Sequence, residues 1–388
     1  MKNRAQTHLM DLLAVSGVAG HEEKVAKLLR EKLLQAGCKA EWIFTDDAHL
    51  RLGEGFEVGN LIVQIPGTLD QPRICFSAHM DTVPLCKGAI PIIQGDRIVS
   101  KGNTGLGGDD RAGCAAIVSA IEEMLKKSIP HPPITLLFTI AEENGLHGSG
   151  AVLFSDLGHP TMGFNLDGQD PNEIIIGAMS AARWEAKIKG KSSHAGLEPQ
   201  KGISAGLIAA KALTAVSEAG FFGQIKKGEK CGTSNVGEMR GGEASNQVMD
   251  QMIVSGECRS HDPTFVEEIV TAYRTCFLDA AKNVMNDEGE CGVVEFITKS
   301  DYRAFRLSES EPCVQRAIKA VETAGLKPFP MAIDAGLDAN NFNEKGFPVV
   351  TLGTGSHRFH TTDEYILLNE YFKICEILLH IIQPGGAL

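Results

Sequence analysis

Apolar residues recur along the chain with two spacings, one helical and one extended. In HEEKVAKLLREKLLQAG (21–37), Val25, Leu28, Leu29 and Leu33 share one face of a helix, charged residues take the rest, and Gly37 supplies a stop. The acidic start suits the helix dipole. NLIVQIPG (60–67), RICFSAH (73–79), PITLLFTIAEE (133–143) and TMGFNLDG (161–168) are instead short apolar runs, several closed by glycine or polar residues. Among them lies the helical stretch RAGCAAIVSAIEEMLKK (111–127). Strands without a polar face are buried on both sides, which predicts an α/β domain with a largely parallel, mixed central sheet flanked by helices.

The pattern changes near residue 180. AARWEAKIKG (181–190) and QMIVSGECRSHD (251–262) alternate apolar and charged residues as half-exposed strands do. Two helical stretches interleave with them, GISAGLIAAKALTAVSE (202–218) and PTFVEEIVTAYRTCFLDAAKNVM (263–285). Residues 180–295 therefore read as an inserted α+β domain. The fully apolar style returns in PVVTLG (348–353), followed by a last helix from about 365 to 382. Residues 1–179 and 296–388 thus form one domain around the insertion, without internal repeats or low-complexity tracts.

The 388 residues are 43% hydrophobic and 22% charged, a globular balance with enough apolar material for a large core. The 49 acidic and 37 basic side chains leave a formal net charge of −12 without any basic block, so no nucleic acid partner is expected. The 10 cysteines contain no Cys-x-x-Cys pair, which argues against a zinc ribbon or a dithiol redox motif. Several sit in apolar contexts such as ICF and AGCAAIV, as small hydrophobes. No apolar run approaches the ~20 residues of a membrane span, and MKNRAQTHLMDLLAV lacks the apolar core and cleavage site of a leader. These features point to a soluble protein in a reducing, cytoplasmic setting, with no membrane partner.

Chemistry-bearing residues gather where apolar runs end. His79 and Asp81 follow ICFSA, Asp109 and Asp110 open a helix in GLGGDDRAG, Glu142 and Glu143 follow LLFTIA, Asp167 follows MGFNL, and His360 stands in GSHRFHTTDEY. Singly, each has a plain structural reading: a hydrogen-bonded histidine, an N-cap aspartate, a solvated glutamate pair. Together they fall where an open parallel sheet collects ligands, at the carboxyl ends of its strands. The set resembles a co-catalytic two-metal site. The charge of two zinc ions offsets that of Asp109, Glu143, Asp167 and a bridging hydroxide, while His79 and His360 ligate as neutral imidazoles. Asp81 would fix the tautomer of His79. Successive residues at a strand end point in different directions, so one of Glu142 and Glu143 binds metal and the other takes a proton from water. Metal-assisted hydrolysis of an amide is the reaction class that follows.

The ordered series HMDTVP, GGDDRAG, AEENG, NLDG and HTTDEY resembles that of the dizinc exopeptidases that include aminoacylase, carboxypeptidase G and tripeptidase T, over nearly the whole chain. The resemblance implies two zinc ions per subunit, with His79 and Asp167 on one and Glu143 and His360 on the other. Asp109 would bridge, rather than Asp110, because the family's bridging aspartate stands two before a basic residue, here Arg111. Asp81 would orient His79, and Glu142 would be the general acid and base, acting on a metal-bridging hydroxide. Manganese or cobalt would suit the same donors.

In the insertion, GKSSHAGLEPQKGISA, TSNVGEMRGGEASNQV and ECRSHD match as well. By resemblance, His194 helps polarise the scissile carbonyl, from the partner subunit of a dimer in one version, Arg259 holds a substrate carboxylate, and Asn246 touches substrate. Read alone, they are equally a turn residue, a solvated strand end and a loop residue. The insertion would act as a lid and as the contact surface of a homodimer.

The doublet followed by Arg111 and Ala112 is most similar to tripeptidase T. The leading expectation is therefore a zinc-dependent aminopeptidase that hydrolyses the N-terminal amide bond of short peptides. The same mechanism would serve a carboxypeptidase or an N-acyl amino acid deacylase. A non-catalytic metal or peptide binder is the alternative from another class, and Glu142 beside Glu143 counts against it. A serine or cysteine hydrolase is disfavoured, because GLHGSGA lacks the Gly-x-Ser-x-Gly spacing and no cysteine has a neighbouring signature.

Overall fold

In the computed structural model, which describes residues 1–383, the chain divides into two compact units. One comprises Met1–Gly177, Arg306–Ile333 and Leu337–Leu388, the other Ala178–Phe305 and Asp334–Gly336.

The first unit is built on strands that are apolar along their length. Ile74–His79 and Ile134–Thr139 are buried at every position and pair in parallel. Met162–Gly168 pairs in parallel on the other side of Ile74–His79, and Val349–Gly353 lies parallel beyond it. Four segments thus end at one edge of a nine-stranded mixed sheet. Antiparallel strands flank this parallel centre, Leu61–Ile65 on Ile134–Thr139 and Glu173–Ala178 on Val349–Gly353. The α/β class and the mixed, centrally parallel sheet match the sequence expectation.

The helix Gly108–Lys126 packs on the sheet through a small-residue sequence, and Lys2–Leu13, Glu23–Ala36 and Leu368–Ile382 pack on it in turn. None of these last three has a side-chain cap at its start. Burial holds them instead, with Leu9, Leu12, Leu29 and Leu33 fully inside, each contributing about 1.5–3 kcal/mol. Glu23–Ala36 stops at Gly37 with a left-handed φ of 108°, as the sequence suggests. The Lys2–Leu13 helix is not anticipated, because its apolar stripe is short and its stability comes from packing rather than propensity.

The second unit is a five-stranded antiparallel sheet in the order Gly223–Lys227, Lys230–Gly241, Gln251–Ser260, Ser180–Lys189 and Val293–Tyr302. Ser180–Lys189 alternates, with Trp184, Ala186 and Ile188 buried and Arg183, Lys187 and Lys189 exposed. The helices Ala205–Glu218 and Pro263–Lys282 cover the buried face, where the Trp184 and Tyr273 rings lie 4.5 Å apart.

Two boundaries differ from expectation. The second unit ends at Phe305 rather than at 295, because Val293–Tyr302 pairs along its length with Ser180–Lys189. This strand, VVEFITKSDY, is mostly exposed at a sheet edge, so its residues carry no burial pattern to announce it. The last helix begins at Leu368, because Tyr365–Leu367 is a strand paired with Arg97–Ser100 in a separate four-stranded sheet. Among the described residues no helix is long and apolar enough to cross a membrane, and all 10 cysteines are free thiols.

Candidate metal centre

His79 closes the Ile74–His79 strand and is buried, and Asp167 is next to last in Met162–Gly168. Asp109 lies at the start of Gly108–Lys126, Glu143 in the turn after Ile134–Thr139, and His360, with a φ of 58°, in the loop after Ser356–His357. His79 Nε2 lies 3.1 Å from Asp109 Oδ1 and 3.7 Å from Asp167 Oδ1. His360 Nε2 lies 2.9 Å from Glu143 Oε2 and 3.4 Å from Asp109 Oδ2. Two donor trios result, His79 with Asp109 and Asp167, and Asp109 with Glu143 and His360, each with ligand atoms within 4.8 Å of one another. Asp109 is common to both.

Asp110 faces elsewhere. Its Oδ2 accepts the His79 N–H at 3.1 Å and its Oδ1 accepts the Gly113 N–H at 3.0 Å. Only glycine fits at 113, since an added Cβ would lie 2.3 Å from Asp110 Oδ1. Other amides of the site are held the same way. Glu364 accepts the Leu106 and Gly107 N–H groups on Oε2 at 2.7 and 2.8 Å, and the Asp109 N–H on Oε1 at 3.2 Å. Asp81 accepts the Glu142 N–H on Oδ1 at 3.0 Å and the Glu143 N–H on Oδ2 at 3.1 Å. The amides of His79, Asp109, Glu142 and Glu143 each meet a buried carboxylate, the stronger, charge-assisted kind of hydrogen bond.

Asp81 meets His79 through both its main chain and its carboxylate. His79 Nδ1 lies 3.1 Å from the main-chain oxygen of Asp81 and 3.4 Å from its Oδ1. An Nδ1–H donated to that carbonyl leaves the Nε2 lone pair facing Asp109 and Asp167. The carboxylate itself makes its shorter bonds to the Glu142–Glu143 turn.

Charge is poorly balanced in this cluster. Burial, with Asp109 and Asp338 nearby, pushes Asp167 up to about 8. Burial also raises Glu142 well above the usual carboxylate range, reinforced by Asp167, Asp338 and Glu143. Burial opposes ionisation of Asp109 too, yet hydrogen bonds from His360 and His79 hold it below its ordinary value. Hydrogen bonds to Asp109 and Glu143 raise His360 to about 10. The acids outnumber the imidazoles, and each additional ionised carboxylate destabilises its neighbours. Divalent cations within the two trios would supply the missing positive charge, through oxygen and imidazole donors that zinc, manganese and cobalt all accept. The residues present fit such a pair of ions.

His194, Asn246 and Arg259 belong to the second unit. His194 and Asn246 meet in one pair of exposed loops: the Ala195 N–H donates to the Asn246 carbonyl at 2.9 Å, and His194 Nδ1 accepts the Gly196 and Leu197 N–H groups at 3.1 and 3.2 Å. Arg259, in Gln251–Ser260, donates to both oxygens of Glu257 at 3.0 and 3.1 Å. Sequence reasoning missed several buried side chains. Glu364 stands four residues after His360 inside the same HTTDEY motif, which was the available signal. Asp338, whose Oδ2 accepts the Thr139 hydroxyl, opens the helix Asp338–Glu344, as Asp109 stands at the start of Gly108–Lys126. Asn60 and Glu22 carry no pattern that separates them from loop and helix-start residues.

Residues 75–383 match peptidase family M20/M25/M40. The aminopeptidase PepT from Bacillus cereus ATCC 10987 is 33% identical, with a TM-score of 0.85 and 98% of each chain covered. A tripeptidase from Staphylococcus aureus subsp. aureus Mu50 is 29% identical, with a TM-score of 0.88 and 98% of each chain covered. Peptidase T of Clostridium perfringens is 27% identical over 354 residues, which span 81% of this chain and 82% of that protein.

Proposed function

Because the chain belongs to peptidase family M20/M25/M40, we propose that this metallopeptidase removes the N-terminal residue from short peptides at a two-metal centre. The observation that carries the reading is the pair of donor trios sharing Asp109, with the separate carboxyl of Glu142 beside them. His79 and Asp167 would hold one zinc ion and Glu143 and His360 the other, with Asp109 available to both, and manganese or cobalt would suit the same donors. When bound, such ions polarise a carbonyl and acidify water.

The side chains supply the rest of the chemistry. Glu142 takes the proton of the attacking water at its carboxylate and returns it to the leaving amine. Asp81 holds the Glu142 and Glu143 main chain, and Glu364 that of Asp109, so that base and donors keep their spacing through the reaction. Substrate is contacted by His194, Asn246 and Arg259, with the second unit serving as lid and homodimer contact. The free cysteines accord with a cytoplasmic setting. The likeness to an aminopeptidase and a tripeptidase over whole chains favours a free amino terminus in the substrate.

Turnover of tripeptides with free and acetylated N-termini, by wild type and Glu142→Gln, tests this. Free tripeptides should be cleaved and acetylated ones left intact, and Glu142→Gln should lower kcat by about 100- to 10,000-fold with unchanged metal content. Cleavage of only the acetylated substrates would move the assignment to a deacylase. Full activity in Glu142→Gln would remove the proposed base.

A further inference from the structure

Residues 140–143 form the turn that leads from the Ile134–Thr139 strand to the paired glutamates, and their four amides share an unusual property. Each donates to a buried side chain from a distant part of the chain. The Ile140 N–H meets Asn60 Oδ1 at 3.1 Å, the Ala141 N–H meets Glu22 Oε1 at 2.9 Å, and the Glu142 and Glu143 N–H groups meet Asp81 at 3.0 and 3.1 Å. The N–H side of this turn is therefore held from outside, while the carbonyls of Ile140, Ala141 and Glu142 accept from residues 145–148 just downstream. Ala141 is the position that most needs such support. Its φ of 50° is left-handed, a conformation that alanine adopts reluctantly, and it is the residue from which Glu142 departs.

Glu22 is fully buried and makes no cap bond to the helix it precedes. Its Oε1 also accepts the Gly20 N–H at 2.8 Å, which fixes the carboxyl from behind, while Oε2 has no partner among the described residues. A buried glutamate that shares one oxygen between Gly20 and a turn 119 positions away, and leaves the other without a hydrogen bond among the described residues, invites a reason. We infer that Glu22 is a positioning residue for the Glu142 carboxylate, acting by holding the Ala141 amide and with it the left-handed bend. The inference rests on Glu142 being the proton-transfer group. Glu22 touches neither substrate nor the donor trios in this role; it sets the angle at which Glu142 leaves the turn.

Reach and charge can be separated by two substitutions. Glu22→Gln keeps an acceptor oxygen at the same distance, whereas Glu22→Asp keeps the charge and withdraws it by one methylene. With saturating metal, Glu22→Asp should lower kcat about 10- to 100-fold while KM and metal stoichiometry stay within twofold, and Glu22→Gln should stay within threefold of wild type. Adding Ala141→Gly, which accepts the left-handed bend without help, should restore several-fold of the Glu22→Asp loss. In a Glu142→Gln background Glu22→Asp should cost nothing further. Wild-type kcat in Glu22→Asp, equal losses in both variants, or losses that multiply with Glu142→Gln would overturn the inference. Where Glu22→Asp does not fold, a tenfold loss in Glu22→Gln overturns it alone. Wild-type kcat in Glu142→Gln would instead remove the premise, so the two failures are told apart.

Discussion

Replacing Asp81 by Asn alters one atom of the side chain and removes one of two acceptors. In the native protein the two carboxylate oxygens accept the Glu142 and Glu143 N–H groups at 3.0 and 3.1 Å, and the residue is fully buried. An amide turns one of those oxygens into an NH2, which faces a backbone N–H whichever way the group is flipped. The variant loses a charge-assisted bond, about 1.5–3 kcal/mol, and leaves an amide hydrogen unsatisfied, about 1–3 kcal/mol. These terms overlap, so Asp81→Asn should lose about 2–4 kcal/mol in urea unfolding. A typical domain has about 5–15 kcal/mol, so the variant still folds and can be assayed. Release of either amide lets the turn shift, and a displacement of about 1 Å at reacting groups costs about 100-fold in kcat. Metal affinity should drop about 10- to 100-fold as well, so kcat is measured at saturating metal. An unfolding midpoint and a kcat matching wild type under those conditions would show that the carboxylate does not hold the turn.

Four further outcomes are expected. Dialysis against a chelator should abolish peptide turnover, and added zinc, manganese or cobalt should restore it; a stripped protein with full activity would exclude a metal centre. Asp109→Asn should lose both metal equivalents in elemental analysis, whereas Asp167→Asn should keep one, because only Asp109 serves both trios. Glu364→Ala leaves three amide donors without their acceptor, at about 1–3 kcal/mol each, so its Tm and soluble yield should fall the furthest of these variants. Burial beside Asp81 raises Glu22 from 4.5 to about 7, so its contribution to stability is full below pH 4.5 and is lost as pH rises through 7. Glu22→Gln has no such titration, and its stability relative to wild type should therefore improve by about 3 kcal/mol between pH 4.5 and 8, a difference that denaturation at the two pH values reads directly.

What the sequence discloses depends on how locally each feature is determined. The four parallel strands are legible because burial on both faces leaves a continuous apolar run, and the acids at their ends stand out against it. The choice between Asp109 and Asp110 is not local: both precede Arg111, and only the fold shows one facing the two imidazoles and the other bonded to the amides of His79 and Gly113. Val293–Tyr302 escapes a reading by burial because an edge strand with exposed residues on both faces has no period to detect. Glu22 escapes for a different reason. Its partner Ala141 lies 119 positions away, and a glutamate before a helix already has an adequate local explanation in the helix dipole.

The carboxylates bonded to the amides of His79, Asp109, Glu142 and Glu143 mean that the chain's own side chains fix the main chain from which the donors project. Ions at the proposed centre should then dock on donors whose main chain the fold already holds, unlike a zinc finger, where the ion and the fold arrive together. Exchange of one metal for another should accordingly leave the unfolding transition in place.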